Sequence, residues 1–128
     1  MKKASSSTLD IVGAMASALC AMHCAITPLL LGFTAIGSIA FLTNPHLEII
    51  VLSLTASLAL FSLLPSYLKG HRKGHALSLA FLGIFLLGSG HLIGHEWELP
   101  SVEVVLAVAG GLLLCLAHLK NLKLLKDN

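Results

Sequence analysis

Residues 11–42 read IVGAMASALCAMHCAITPLLLGFTAIGSIAFL and contain no aspartate, glutamate, lysine or arginine. A helix over this whole stretch, at about 1.5 Å per residue, would be longer than a bilayer core of about 30 Å. We therefore expect it to tilt, kink or break, and Pro28, Gly32 and Gly37 are the candidate positions. The stretch predicts a chain that crosses a membrane.

The composition of the whole chain supports a membrane protein. The 128 residues are 56% hydrophobic and 11% charged, whereas soluble domains carry roughly 25% charged residues. A formal net charge of +2 also leaves few basic groups for binding a polyanion. These values exclude a soluble globular domain, a disordered chain and a nucleic-acid-binding protein. The length accommodates about four spans of about 20 residues.

Three further apolar stretches follow the first, over residues 47–64, 76–93 and 102–119. Asn44 and Pro45 are typical of a helix cap and first turn. The pattern predicts an all-α fold, an integral membrane bundle of four transmembrane helices. It divides the chain into a polar N-terminal segment, a four-helix transmembrane domain and a basic tail (1–10, 11–119 and 120–128).

Charge placement predicts the orientation of this bundle. Under four spans, all eight lysines and arginines fall on one side of the membrane. The opposite side contains no lysine or arginine, and its charged residues are Glu48, Glu96, Glu98 and Glu103. Basic residues favour the cytoplasmic side, so we expect both termini in the cytoplasm.

The first span carries a group of candidate metal ligands. Cys20, His23 and Cys24 share one helical face, and Thr27 follows one turn later. Cys20 lies ten residues beyond Asp10, or about 15 Å deep, which is near the bilayer centre. Ionisable groups at that depth indicate function, and thiols with an imidazole suit a soft or borderline metal ion. Taken singly, each residue is equally typical of helix packing.

The lipid side of the first span is expected to be its large apolar residues, which are Met15, Leu19, Met22, Ile26, Leu29 and Phe33. The opposite face is built from small residues, including Gly13, Ala16 and Ser17. Small residues let membrane helices pack closely. The cysteines therefore face the interior of the bundle in this prediction.

Other candidate ligands lie at both ends of the spans. At the outer end, His46, Glu48, His91 and His95 could form an entrance for cations. Residues at a membrane boundary are also wet, and Glu48 in a first helical turn fits the helix dipole without any ligand. We also expect the small residues Gly90 and Gly94 to seat the third helix against a neighbour.

Near the cytoplasmic end of the fourth span, Cys115 and His118 are three residues apart and point to the same side. The same stripe includes Ala107 and Gly111. This pair could receive an ion that leaves the first helix. A simple packing stripe with one polar histidine is the alternative.

Several motifs together resemble the MerC-domain family of small mercury-transport proteins of the bacterial inner membrane. They are Cys20-x-x-His23-Cys24-x-x-Thr27-Pro28, Asn44-Pro45, His71-Arg72 and His118-x-x-Asn121, and the likeness covers about residues 10–122. The resemblance implies a multi-pass protein that moves Hg(II) inward, with Cys20 and Cys24 as ligands. Plasmid-borne mercury-resistance members of the family carry Cys-Ala-Ala-Cys and a second cysteine pair toward the C-terminus, whereas this chain has Cys-x3-Cys with His23 between and only Cys115 later. Zinc or another divalent ion is therefore the alternative cargo.

The resulting prediction is a transporter that passes the metal ion between thiolate and imidazole ligands. We expect no enzymatic activity, no catalytic residue and no tightly bound cofactor, only the transported Hg(II) or Zn(II). The expected partners are the lipid bilayer, the metal ion, a cytoplasmic thiol acceptor and further copies of the chain as a homo-oligomer. A non-transporting membrane metal sensor or subunit stays open. An intramembrane di-iron enzyme is disfavoured because the seven histidines are scattered along the chain.

Overall fold

The protein is described by a computed structural model that covers residues 2–33, 44–68, 74–97 and 99–127. Over these residues the chain forms four helices: α1 (Lys2–Phe33), α2 (Pro45–Ser66), α3 (His75–Trp97) and α4 (Pro100–Lys126). Each contains a stretch long and apolar enough to cross a membrane. The predicted all-α bundle of four transmembrane helices is confirmed.

The helix boundaries agree closely with the sequence for α2 and α3. The Asn44 side chain accepts a hydrogen bond from the backbone N–H of His46 at 2.9 Å, and Pro45 occupies the first turn of α2. The predicted cap is therefore confirmed. α2 ends at Ser66, one residue after Pro65.

The first and last helices extend further into the polar ends than the hydropathy pattern indicates. α1 begins at Lys2 and continues through Pro28 and Gly32 to Phe33, so neither residue ends the helix. Gly37 lies outside the described residues. α4 continues to Lys126, so the basic residues at its end belong to the same helix.

Neighbouring helices run antiparallel, and α4 packs closely against both α1 and α3. A Cβ atom on Gly83 would lie 2.9 Å from the carbonyl oxygen of Gly110, and one on Gly110 would lie 2.7 Å from that of Gly83. On the other side of α4, a Cβ atom on Gly111 would lie 2.9 Å from the Cβ of Ala21. Close backbone approach through small residues is how membrane helices gain contact where lipid offers no hydrophobic driving force.

Over the described side chains, the division of α1 into an inner and an outer face is as predicted, and the side chains of Leu29 and Phe33 lie outside them. Gly13, Ser17 and Cys20 are buried. Large apolar side chains point outward, and they include Met15, Leu19, Met22 and Ile26. This arrangement puts the thiol-bearing face of α1 inside the bundle.

Candidate metal centre

A cavity of about 690 Å³ lies between the four helices. All the polar first-helix residues singled out from the sequence line it: Cys20, His23, Cys24 and Thr27. The other three helices contribute four polar side chains, Glu48, Thr55, His91 and Glu103. The remaining lining residues are apolar.

The two thiols lie together in this cavity, one helical turn apart. Cys20 is buried, Cys24 is half-buried, and both are free of disulfides. Because they are four residues apart on one helix, their side chains are neighbours on the same face of α1. Two adjacent thiols can lose their protons together to hold one soft cation.

His23 is placed differently from the two thiols. It is exposed at the rim of the cavity, and its backbone carbonyl accepts a hydrogen bond from the Thr27 hydroxyl at 2.7 Å. Among the described residues, three ligand atoms come within 4.8 Å of one another only at another position. The first-helix residues thus form a pair of thiols with an imidazole beside it, and not a closed three-ligand site.

The compact three-ligand group is formed by Glu48 of α2, His91 of α3 and Glu103 of α4. We call it the carboxylate cage. His91 Nδ1 lies 3.5 Å from Glu48 Oε1 and 3.8 Å from Glu103 Oε1. Ligands at about 2.0–2.1 Å from a tetrahedral zinc ion are separated by about 3.3 Å. The two separations that involve His91 are therefore within about half an ångström of the spacing that such an ion requires.

Glu103 is the cage member that the sequence analysis did not select as a ligand. It stands in the first turn of α4, and its carboxylate packs over Gly94 of α3, where an added Cβ would collide with it. Gly90 also approaches α4, since a Cβ there would lie 2.9 Å from the Cβ of Leu106. The prediction that Gly90 and Gly94 seat α3 against a neighbour is confirmed. The same glycine spacing is the signal that could have pointed to Glu103.

The thiols and the carboxylate cage line one cavity. Cys20 and Cys24 contribute to its α1 wall, and Glu48, His91 and Glu103 contribute to its walls from the other three helices. The lining thus offers hard oxygen ligands at one end and soft sulfur ligands deeper in the membrane.

A second buried polar group lies at the opposite end of the bundle, where both termini are found. We call it the Asp10 cluster. Asp10 accepts hydrogen bonds from the hydroxyl of Ser62 and from Asn121 Nδ2 at 2.6 Å, and His118 Nδ1 lies 3.1 Å from Asp10 Oδ1. Asp10 and His118 are fully buried. The cluster ties α1, α2 and α4 together at this end of the bundle.

The His118 ring fits against α1 because residue 13 is a glycine. An added Cβ on Gly13 would collide with the ring. The second ring nitrogen, Nε2, is buried and has no hydrogen-bond partner among the described residues. Asp10 therefore contacts the His118 ring through Nδ1, and Gly13 leaves the space that the ring occupies.

Comparison with known proteins places the chain in a family. The family model of the MerC mercury resistance protein matches residues 10–123. This chain belongs to the MerC family. No curated protein sequence and no solved structure matches it. The resemblance drawn from the Cys20–Pro28 motif is confirmed, and MerC membership makes this a multi-pass membrane protein of a mercury-resistance type.

The remaining candidate ligands of this MerC protein are distributed as follows. His46 is exposed and lies outside the cavity lining, where its backbone N–H completes the cap of α2. The His95 side chain lies outside the described residues. Cys115 is half-buried and, like His118, does not line the cavity. A ligand role for these four residues stays a prediction.

Proposed function

We propose that this MerC protein transports mercuric ion inward across the bacterial inner membrane by ligand exchange. One observation carries the proposal: the thiols of Cys20 and Cys24 share a cavity with the carboxylate cage. A transport path needs a site that collects the ion and a site that holds it in the membrane. The cavity has a ligand set suited to each task.

The cage serves as the collecting site in this proposal. Its two carboxylates attract a cation, and the half-buried side chains of Glu48 and Glu103 remain reachable. The ion then passes to Cys20 and Cys24, since thiolates are the preferred ligands of soft metals. Each thiol that binds releases its proton, so transfer from oxygen to sulfur is coupled to proton loss. His23 at the rim assists the exchange.

In this proposal the ion is released at the end of the bundle that holds the Asp10 cluster. The cluster joins three helices with buried side chains, so it opens for the ion to pass there. Inward movement of a divalent cation gains about 4.6 kcal/mol at a membrane potential of 100 mV. We propose a cytoplasmic thiol as the acceptor, with Cys115 and His118 as the ligands nearest to the exit.

The carboxylate cage favours zinc as a second candidate cargo. Its ligands are two carboxylates and one imidazole, and its nitrogen–oxygen separations of 3.5 and 3.8 Å suit a tetrahedral ion. A zinc transporter would depend more on Glu48 and Glu103 than on the cysteines. The two cargoes therefore differ in which variants stop the flux.

Metal uptake into proteoliposomes tests the proposal, with Hg(II), Zn(II), Cd(II) and copper compared side by side. We expect wild-type protein to carry Hg(II), and the double variant Cys20→Ser, Cys24→Ser to reduce the flux to the level of empty vesicles. Ala25→Ser is the matched control, because it adds a hydroxyl on α1 at a residue outside the cavity lining. It should transport normally.

The other outcomes separate the alternatives. Zn(II) flux that survives the double cysteine variant but is lost in Glu48→Gln, Glu103→Gln would identify zinc as the cargo and contradict the mercury proposal. Metal binding by wild type without any flux would contradict transport and favour a sensor or subunit.

A further inference from the structure

The cavity is much larger than a metal ion requires. Its volume of about 690 Å³ falls in the range of about 300–1,000 Å³ that drug-sized ligands occupy. The carboxylate cage uses one end of that space. The rest is bounded mainly by aliphatic side chains such as Leu52, Leu58 and Leu87.

The cavity also has an opening toward the bilayer. Two of its lining residues, Leu19 of α1 and Leu54 of α2, are 63% and 61% exposed. They lie on adjacent helices, so the chamber reaches the lipid-facing surface between α1 and α2. An apolar molecule dissolved in the membrane would meet these two aliphatic side chains at the cavity wall.

The charge of the cavity selects which apolar molecule is held. Glu48 and Glu103 lie beside the imidazole of His91. These three side chains thus place two carboxyl groups and one imidazole at one end of the cavity. The other titratable lining groups are Cys20, His23 and Cys24, and no lysine or arginine belongs to the described lining.

We propose that this cavity is also a binding site for an amphipathic organic cation. The cationic head lies between Glu48 and Glu103, and the apolar body occupies the chamber between α1, α2 and α3. A carboxylate partner offsets the cost of removing the monovalent charge from water, while the aliphatic walls bind the rest of the molecule through the hydrophobic effect. The site does not depend on the thiols.

Binding of tetraphenylphosphonium to the full-length protein in nonionic detergent, measured by equilibrium dialysis, tests this site. Tetraphenylborate has nearly the same size and shape with the opposite charge, so it is the matched probe. We expect saturable binding of the phosphonium and at least tenfold weaker binding of the borate. Equal binding of both ions would overturn the proposal, because the cage charge would then not select the ligand.

One double variant, one control variant and one competition locate the site. Glu48→Gln with Glu103→Gln should weaken phosphonium binding at least tenfold, whereas Glu96→Gln, an exposed glutamate on α3 outside the lining, should change it less than twofold. Unchanged binding in the double glutamine variant would overturn the proposal. In wild-type protein, saturating Zn(II) should displace the phosphonium, and undiminished binding would contradict a shared site even if the glutamine variant fails to fold.

Phosphonium binding at this site does not depend on the cysteines proposed to transport mercury. The Cys20→Ser, Cys24→Ser protein should bind tetraphenylphosphonium within twofold of wild type. A tenfold loss in that variant would contradict a thiol-independent site. Loss of Hg(II) flux together with retained phosphonium binding separates the two functions.

Discussion

Replacing the buried Asp10 by alanine should strongly destabilise the four-helix bundle. Asp10 accepts from Ser62 and Asn121 and contacts His118, and all of these groups are buried. Hydrogen bonds between membrane helices average about 0.6 kcal/mol each, so three contribute about 2 kcal/mol. Leaving His118 and Asn121 buried without their acceptor adds a desolvation cost of about 1–3 kcal/mol. We expect a total loss of about 3–5 kcal/mol.

The assay is reversible unfolding in mixed micelles by a denaturing detergent, followed by circular dichroism. Ser57→Ala is the matched control. The Ser57 hydroxyl is exposed and donates to the carbonyl of Ser53 in its own helix at 2.7 Å, so its loss should cost less than about 0.5 kcal/mol. An Asp10→Ala protein as stable as the Ser57→Ala protein would refute the reasoning that the Asp10 cluster holds three helices together.

Three further substitutions test the packing and the cage. Gly94→Ala should push the Glu103 carboxylate aside and weaken Zn(II) binding by about 10–100-fold, as for disturbed metal surroundings generally; unchanged affinity in a zinc titration would contradict the cage. Gly83→Ala should separate α3 from α4 and cost about 1–3 kcal/mol in the unfolding assay. Gly88→Ala is the control for both, because a Cβ there meets nothing within 4 Å. Asn44→Ala should cost about 1 kcal/mol through loss of the α2 cap, and an unchanged unfolding midpoint would argue against that cap.

Hydropathy and local chemistry were enough to predict the four helices. The apolar stretches gave their number, and Asn44 with Pro45 gave the start of α2. The spacing of small and large residues predicted which face of α1 is buried and which is exposed. These features depend on neighbours along the chain, which a single sequence contains.

The pairing of polar residues across helices could not be obtained in that way. In the sequence, Asp10 is the last residue of a polar N-terminal segment. In the structure it is fully buried and contacts residues more than fifty positions later in the chain. Glu103 reads as an acidic residue in a first turn, which the helix dipole favours without any ligand. Its contact with His91 depends on how close α3 and α4 approach, and that distance is set by glycines on both helices.

The central claim is that Cys20 and Cys24 hold one soft metal ion inside the bundle. X-ray absorption at the mercury edge, on membrane-embedded Cys115→Ser protein loaded with one equivalent of Hg(II), tests it most directly. We expect two sulfur ligands, both lost in the variant that also carries Cys20→Ser and Cys24→Ser. A single sulfur neighbour, or a shell of nitrogen and oxygen alone, would contradict it.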